Sequence, residues 1–395
     1  MEYLSILGRE PTISLAELDS LFSGVHQIAP SLATFSSPTT PDIGRLGGSL
    51  KLAVKLSSSP LDYLRSAPAG KLTIGISDYS HGAPTKSALL TAMKLKKILT
   101  RHDHSVRIIE GKSPVLSTAT SLHNGLSGKN PKKHEFIKVD NAWYRVIGVQ
   151  DIDAYSRRDQ ARPARDARVG MLPPKLAQIL INLCGPLPSG SRILDPFCGT
   201  GVVLQEALLM GYRAYGTDIN PHMIEYTKRN LEWLVANNLN NCRRVTGVEG
   251  DPHGACDMGE ENTRQDPPSN NFEVSNGDAT SHTWTPPIDA VACECFLGQP
   301  MSQPPSSIKL KSEMQECSRI ILGFLRNLAP QIPSGTPVTL AIPAWLRIDG
   351  TYSRLQILDE ITPMRYNVSN KTVSGLLYFR EGQIVARDII ILRKN

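Results

Sequence analysis

The 395-residue chain predicts an α/β fold: a Rossmann-like sheet closed by an antiparallel hairpin, preceded by a smaller α+β portion. Three observations predict it. Residues 192–218 spell strand, glycine turn, helix, strand, acid, the repeating unit of a doubly wound sheet. Near the C-terminus, Leu376 to Arg380 and Ile384 to Arg393 flank Glu381-Gly382 as a hairpin. The first 150 residues alternate short strands and helices of their own.

Charge divides unevenly along the chain. Through Lys175 there are 24 Lys+Arg against 15 Asp+Glu, whereas the remaining 220 residues carry 19 against 22. A basic front half is what contact with a polyanion requires electrostatically. No run of eighteen apolar residues exists, and Met1-Glu-Tyr-Leu-Ser lacks the features of a signal peptide, so a soluble, cytoplasmic protein is expected. Seven scattered cysteines give no disulfide framework. Cys293 and Cys295 form a C-x-C without a second ligand pair, so no metal site is expected.

Residues 1–70 read as a ferredoxin-like α+β module. Tyr3 to Leu7 is a strand, and Ser14 to Phe22 a helix opened by the capping-box pattern Ser14-x-x-Glu17. Ser31 to Pro41, rich in Ser, Thr and Pro, reads as a loop; Leu50 to Leu56 is a strand entered through Gly47-Gly48-Ser49. Residues 71–150 form a second basic unit. It holds strand Lys71 to Ser77, helix Lys86 to His102, strand Ser105 to Glu110 and a short helix Ser117 to Asn124. In the long helix Leu89, Leu90, Met93, Ile98 and Leu99 are the expected apolar face, with Lys94, Lys96, Lys97 and Arg101 elsewhere. Residues 151–170 are a polar linker whose Arg157, Arg158, Arg162, Arg165 and Arg168 are available for phosphate contact. Pro174 then opens a helix from Leu176 to Leu183.

From Ile193 an apolar strand delivers Asp195 to its carboxyl end, and Pro196, Phe197, Gly199 and Gly201 form the turn before helix Val202 to Met210. Gly211 stops that helix, and strand Arg213 to Thr217 ends in Asp218, spaced to grip a ribose, with Ile219 following. A dinucleotide fingerprint needs a third glycine where Leu204 stands. An acid ahead of the turn would also repel a pyrophosphate while suiting a ligand with an amino group. S-adenosylmethionine fits both conditions. Asn220-Pro221 begins a helix to about Ala236 carrying Ile224, Leu231 and Leu234, and a polar insertion follows near residues 238–271. Phe272 to Thr280 resembles motif III of S-adenosylmethionine-binding folds, which implies Asp278 and Ala279 at the cofactor's adenine, although Asp278 after Gly277 is also an ordinary turn residue. Strand Asp289 to Gly298, helix Ser312 to Leu328 and strand Thr336 to Trp345 complete the pattern.

D-P-F-C-G-T-G at Asp195–Gly201 resembles motif I of the class I S-adenosylmethionine-dependent methyltransferases, which have a seven-stranded sheet. Arg162-Pro-Ala-Arg-Asp166 and the run 170–177, G-M-L-P-P-K-L-A, sharpen the likeness to the THUMP-domain tRNA guanosine N2-methyltransferases of the position-ten type. The likeness spans nearly the whole chain and is strongest between Arg162 and Asn220. It implies an RNA-binding THUMP-like domain in residues 73–139, with Lys94, Lys97, Arg101, Arg162 and Arg165 facing tRNA, and methyl transfer to a guanosine amine. A small activating protein subunit accompanies some such relatives.

The family ends its fourth strand with D/N-P-P-Y, whereas this chain has Cys293-Glu294-Cys295-Phe296. Setting Phe296 on the aromatic puts Cys293 at the acid position, where a thiol accepts hydrogen bonds poorly. Glu294 is one residue along. Phe296 can stack on a base. The departure favours one other reading, an RNA-binding protein that retains the fold without transferring methyl groups; a second, a DNA amino-methyltransferase, is opposed by the THUMP-like segment and the R-P-x-x-D connector, which have no evident use there.

Overall fold

The structure is a computed structural model and describes the chain except residues 69, 103, 167–170, 247–270 and 370–374. It comprises two compact units, Met1–Ser156 and Arg157–Asn395.

The first unit is built on one eight-stranded sheet. Its elements are β1 (Glu2–Leu7), α1 (Pro11–Leu21), β2 (Ser23–Ala29), β3 (Leu32–Ser36), β4 (Ser49–Lys55), α2 (Pro60–Arg65), β5 (Gly70–Asp78), α3 (Ser87–Thr100), β6 (His104–Ile109), α4 (Thr118–His123), β7 (Lys133–Val139) and β8 (Ala142–Val149). The strand order is β2-β3-β1-β4-β8-β7-β5-β6. Because β8 lies between β4 and β7, residues 1–70 and 71–150 share a single sheet.

Three sequence expectations in this unit are corrected. Residues 32–36 form strand β3 instead of a loop, because Leu32, Ala33 and Phe35 are buried against β1 and outweigh the local Ser/Thr content. Ser14 and Glu17 make no capping box: the helix starts at Pro11, and the buried Glu17 carboxylate instead accepts the N–H groups of Gly47 and Gly48 at 2.9 and 2.8 Å. On α3 the buried stripe is Ala88, Ala92, Leu95 and Leu99, leaving Leu90 and Met93 exposed beside the exposed Lys94, Lys97 and Arg101. Two small alanines let the helix lie close on the sheet along that stripe.

Beneath α4 sits a closed polar network. The buried Lys51 Nζ donates to Glu135 Oε1 (2.6 Å), Ser121 Oγ (2.8 Å) and the Leu116 carbonyl (2.8 Å), while Ser77 and Ser121 hydroxyls donate to the Glu135 carboxylate. Full pairing is what makes a buried charge tolerable. It pins β4, β5, β7 and α4 to one another.

The linker is partly helical, since α5 (Ile152–Gln160) runs across the boundary between the units. The second unit contains α6 (Pro174–Asn182), β9 (Arg192–Asp195), α7 (Val202–Leu209), β10 (Arg213–Asp218), α8 (Pro221–Thr246), β11 (Phe272–Asn276), β12 (Ala290–Glu294), α9 (Ser307–Leu328), β13 (Pro337–Leu346), β14 (Tyr352–Arg354), α10 (Leu358–Ile361), β15 (Tyr366–Val368), β16 (Leu376–Tyr378) and β17 (Val385–Lys394). The main path of its sheet is β11-β10-β9-β12-β13-β17-β15, with β14 on β13 and β16 on β17. Strands β9 to β13 pair in parallel, and β17 runs antiparallel to β13 through nine register pairs. A parallel core closed by an antiparallel strand is the arrangement expected from the sequence. The expected hairpin is present as β16 and β17, paired Leu376↔Ile389 and Tyr378↔Arg387.

α8 extends ten residues beyond Ala236, through the Asn-rich start of the expected insertion, where no Gly or Pro interrupts it. Most of the remaining insertion lies outside the described residues. α9 starts at Ser307, five residues before the sequence expectation, because the Ser306 hydroxyl accepts the Lys309 N–H as an N-cap. Its buried face, with Cys317, Ile321, Phe324, Leu325 and Leu328, packs on Val291, Cys293, Leu340 and Trp345 of the sheet. Among the described residues no helix is long and apolar enough to cross a membrane.

Candidate active site

Reversal of strand order between β9 and β12 opens a crevice at their carboxyl ends, the place where open α/β sheets bind ligands. Asp195 closes β9 there, with its side chain buried and Oδ1 accepting the Phe197 N–H at 3.1 Å. Burial drives its carboxyl well above the usual carboxylate range, and the nearby Asp218 and Glu294 charges push it further, against the Phe197 hydrogen bond.

Next comes the glycine turn, fastened from outside by α8. Gly201 has φ +83°, and a Cβ on it would stand 2.8 Å from Thr227 Cγ2, so a side chain here meets both strain and overlap. Thr227 Oγ1 donates to the Gly199 carbonyl at 2.7 Å, and Asn230 Nδ2 donates to the Thr200 carbonyl at 2.9 Å. These two side chains, three apart on one helix face, were not singled out from the sequence. Only the finished packing of α8 on the turn reveals them.

Asp218 ends β10 with its Oδ2 accepting the Gly199 N–H (2.9 Å) and its Oδ1 the Asn220 N–H (2.8 Å). Burial raises its pKa too, opposed by those two bonds. Ile219, directly after it, is 68% exposed, an uncovered apolar face at the mouth of the crevice. Asn276 Nδ2 donates to the carbonyls of Asp218 and Ile219, and the Gly277 N–H also donates to the Asp218 carbonyl, bringing Asp278 alongside. Asp278 is exposed, and its Oδ1 is taken by the N–H and hydroxyl of Thr280. Ala279 is buried in the core beside it.

At the end of β12 the alternation of the strand decides between the two acid-position candidates. Cys293 is fully buried, packed in the core with its Sγ 3.9 Å from Cys295 Sγ, and does not reach the crevice. That corrects its placement among the groups facing the base. Glu294, the last strand residue, turns to the opposite side, where Arg387 Nε of β17 donates to Oε1 at 2.8 Å. Burial raises the Glu294 pKa and Arg387 opposes the rise. Counting three residues from Glu294 places Leu297 where the family motif has its aromatic; Phe296 comes just before, half-buried against the core. The turn then closes through Gly298, φ +82°, while the Glu313 carboxylate of α9 accepts the Gln299 N–H at 3.0 Å. Arg387 was also absent from the sequence reading, because nothing local marks a strand arginine some ninety residues away as a partner of Glu294.

The arginines of the linker separate. Arg165 and Arg157 are exposed. Arg158 is committed to the buried Glu206 of α7 by two bonds of 2.7 and 3.2 Å, and Arg162 is buried, so neither presents a free guanidinium to a surface strand of RNA as expected. Arg168 lies outside the described residues.

Residues 162–323 match the family described as RMKL-like, methyltransferase domain, and residues 94–229 match a DNA methylase family. Among curated proteins, the tRNA (guanine(10)-N2)-dimethyltransferase of Pyrococcus abyssi is 48% identical over 241 residues, 59% of this chain and 68% of that protein. The chain belongs to this family. The enzyme of the same name from Methanothermobacter thermautotrophicus is 28% identical over 213 residues, and the chain spans about half its length, 51%. The solved structure of TrmN from Thermus thermophilus covers all of both chains at 17% identity with a TM-score of 0.44. S-adenosylmethionine is the methyl donor expected from the sequence. The crevice fits it: carboxylates end both inner strands, the glycine turn lies between them, and Ile219 offers an apolar surface beside Asp218.

Proposed function

We propose that this protein is a cytoplasmic S-adenosylmethionine-dependent tRNA methyltransferase that forms N2-methylguanosine, with the guanosine at position ten as its target. Glu294 carries the reading. It places a carboxylate, oriented by Arg387, at the end of the fourth strand of a class I sheet, beside the crevice that Asp195 and Asp218 line. In the bound complex Asp195 would pair with the cofactor's ammonium, Asp218 would accept from its ribose hydroxyls, and Ile219 and Asp278 would border its adenine.

A guanine amine is a weak nucleophile, because its lone pair is delocalised into the ring. Glu294 would accept a hydrogen bond from that amine, localise its lone pair and take its proton as the amine is methylated, the methyl group being what bound S-adenosylmethionine would supply. Phe296 and Leu297 would supply the apolar surface against a base extruded from the RNA. The fully buried Cys293 takes no part.

Residues 1–156 would position tRNA in the manner of a THUMP-containing portion. Exposed Lys94, Lys97 and Arg101 of α3 and Arg165 of the linker are the proposed phosphate contacts. A small activating subunit remains part of this reading, as a partner for the catalytic unit.

Purified protein given labelled S-adenosylmethionine and unmodified tRNA is expected to yield N2-methylguanosine on nucleoside analysis. Cofactor and tRNA binding with no transfer, persisting when a small partner subunit is supplied, would favour the non-catalytic reading. Label appearing in DNA adenine or cytosine instead would favour the DNA enzyme.

A further inference from the structure

Arg162 is 3% exposed, yet its Nε and Nη1 find no hydrogen-bond acceptor among the described residues. Nη2 lies 2.9 Å from the thioether sulfur of Met171, a weak acceptor. Buried guanidinium groups are ordinarily satisfied by carboxylates, carbonyls or phosphates, so donors left open in this way mark a place for an anion. Burial disfavours the charge, and the neighbouring Asp159 favours it.

Its position says which anion. Two residues on, the Ala164 N–H donates to Asn230 Oδ1 at 3.0 Å, and Asn230 Nδ2 donates to both the Ala164 and Thr200 carbonyls at 2.9 Å. Asn230 therefore clamps the segment carrying Arg162 to the glycine turn of the crevice. The crevice already holds Asp195, Asp218 and Glu294, which would repel any further negative group. The amino-acid end of S-adenosylmethionine is a zwitterion: Asp195 matches its ammonium, but its carboxylate needs a cation.

We propose that Arg162 binds the cofactor's amino-acid carboxylate with the N–H donors that the protein leaves open. The inference rests on the crevice being the cofactor site, and it moves Arg162 from the RNA surface to the cofactor. A polymer phosphate does not suit a group so deeply covered, whereas the tip of a small ligand does.

Calorimetric titration of the full chain with S-adenosylhomocysteine and with 5′-methylthioadenosine, which lacks the amino-acid end, separates the possibilities. Arg162→Met is expected to weaken S-adenosylhomocysteine about tenfold or more, as loss of a charge-assisted bond does, and to leave 5′-methylthioadenosine unchanged. Arg162→Lys should recover part of the loss. Unchanged 5′-methylthioadenosine binding also reports that the variants are folded. Equal weakening of both ligands, or of neither, overturns the proposal; so does loss of tRNA affinity with S-adenosylhomocysteine binding intact. If the unaltered protein binds neither ligand, the cofactor reading itself fails and the proposal with it.

Discussion

Glu294→Gln will lower the turnover number for methyl transfer by roughly 10²- to 10⁴-fold, the usual worth of a positioned proton acceptor, while leaving cofactor affinity close to unchanged. The amide keeps the volume and can still meet Arg387, but it cannot take a proton. A pH signature distinguishes this role from a structural one. Burial raises the Glu294 pKa, so the reactive carboxylate form is lost as pH falls through a value above the ordinary carboxylate range. Turnover at saturating cofactor should therefore show an acid limb at unusually high pH, which Glu294→Gln abolishes. Arg387→Met removes the cation opposing the shift and should move that limb to still higher pH. An unchanged profile in both variants would remove Glu294 from the chemistry.

Asp195→Ala will cost roughly ten- to a hundredfold in S-adenosylhomocysteine affinity, the range for a lost hydrogen bond to a charged group. Two functions are removed together: the acceptor that holds the Phe197 N–H, and the negative charge toward the ligand's ammonium. Asp195→Asn keeps an acceptor for Phe197 and loses only the charge, so its affinity shows how the cost divides. The sign of the pH effect follows from burial and from the neighbouring Asp218 and Glu294, which raise the Asp195 pKa. An ammonium-bearing ligand prefers the ionised form, so binding to the unaltered protein should weaken as pH falls through that raised value. Calorimetry across the range measures it, with Asp195→Asn showing the pH dependence left by Asp218, whose pKa burial also raises.

The parts of the site legible in the sequence are those a short motif can carry. Asp195, Gly199, Gly201 and Asp218 arise from one strand-turn-helix-strand unit, whose spacing is set by local geometry. The hairpin of β16 and β17 was likewise a local pattern. What escaped depends on long-range packing. Thr227, Asn230 and Arg387 act because α8 and β17 bring them to the crevice, and no neighbouring residue announces it. Arg162 was visible as an arginine, but burial reassigned it from surface contact to an interior donor.

Glu294 and Cys293 show the same limit at one-residue resolution. The sequence offered two registers for an altered motif, and strand alternation separates them: Cys293 enters the core, whereas Glu294 meets Arg387. On α3, counting apolar residues chose Leu90 and Met93, although tertiary contact favoured the alanine stripe that fits closely against the sheet. Propensity proposes a face, and packing selects one.

Methylation of the guanosine exocyclic amine at position ten can be read out with one altered substrate. Unmodified tRNA and the same tRNA carrying inosine at position ten, which lacks that amine, are each incubated with the protein and labelled S-adenosylmethionine. The expected result is label in N2-methylguanosine from the first and none from the second. Equal labelling of both would contradict the claim by showing that the methyl group goes elsewhere.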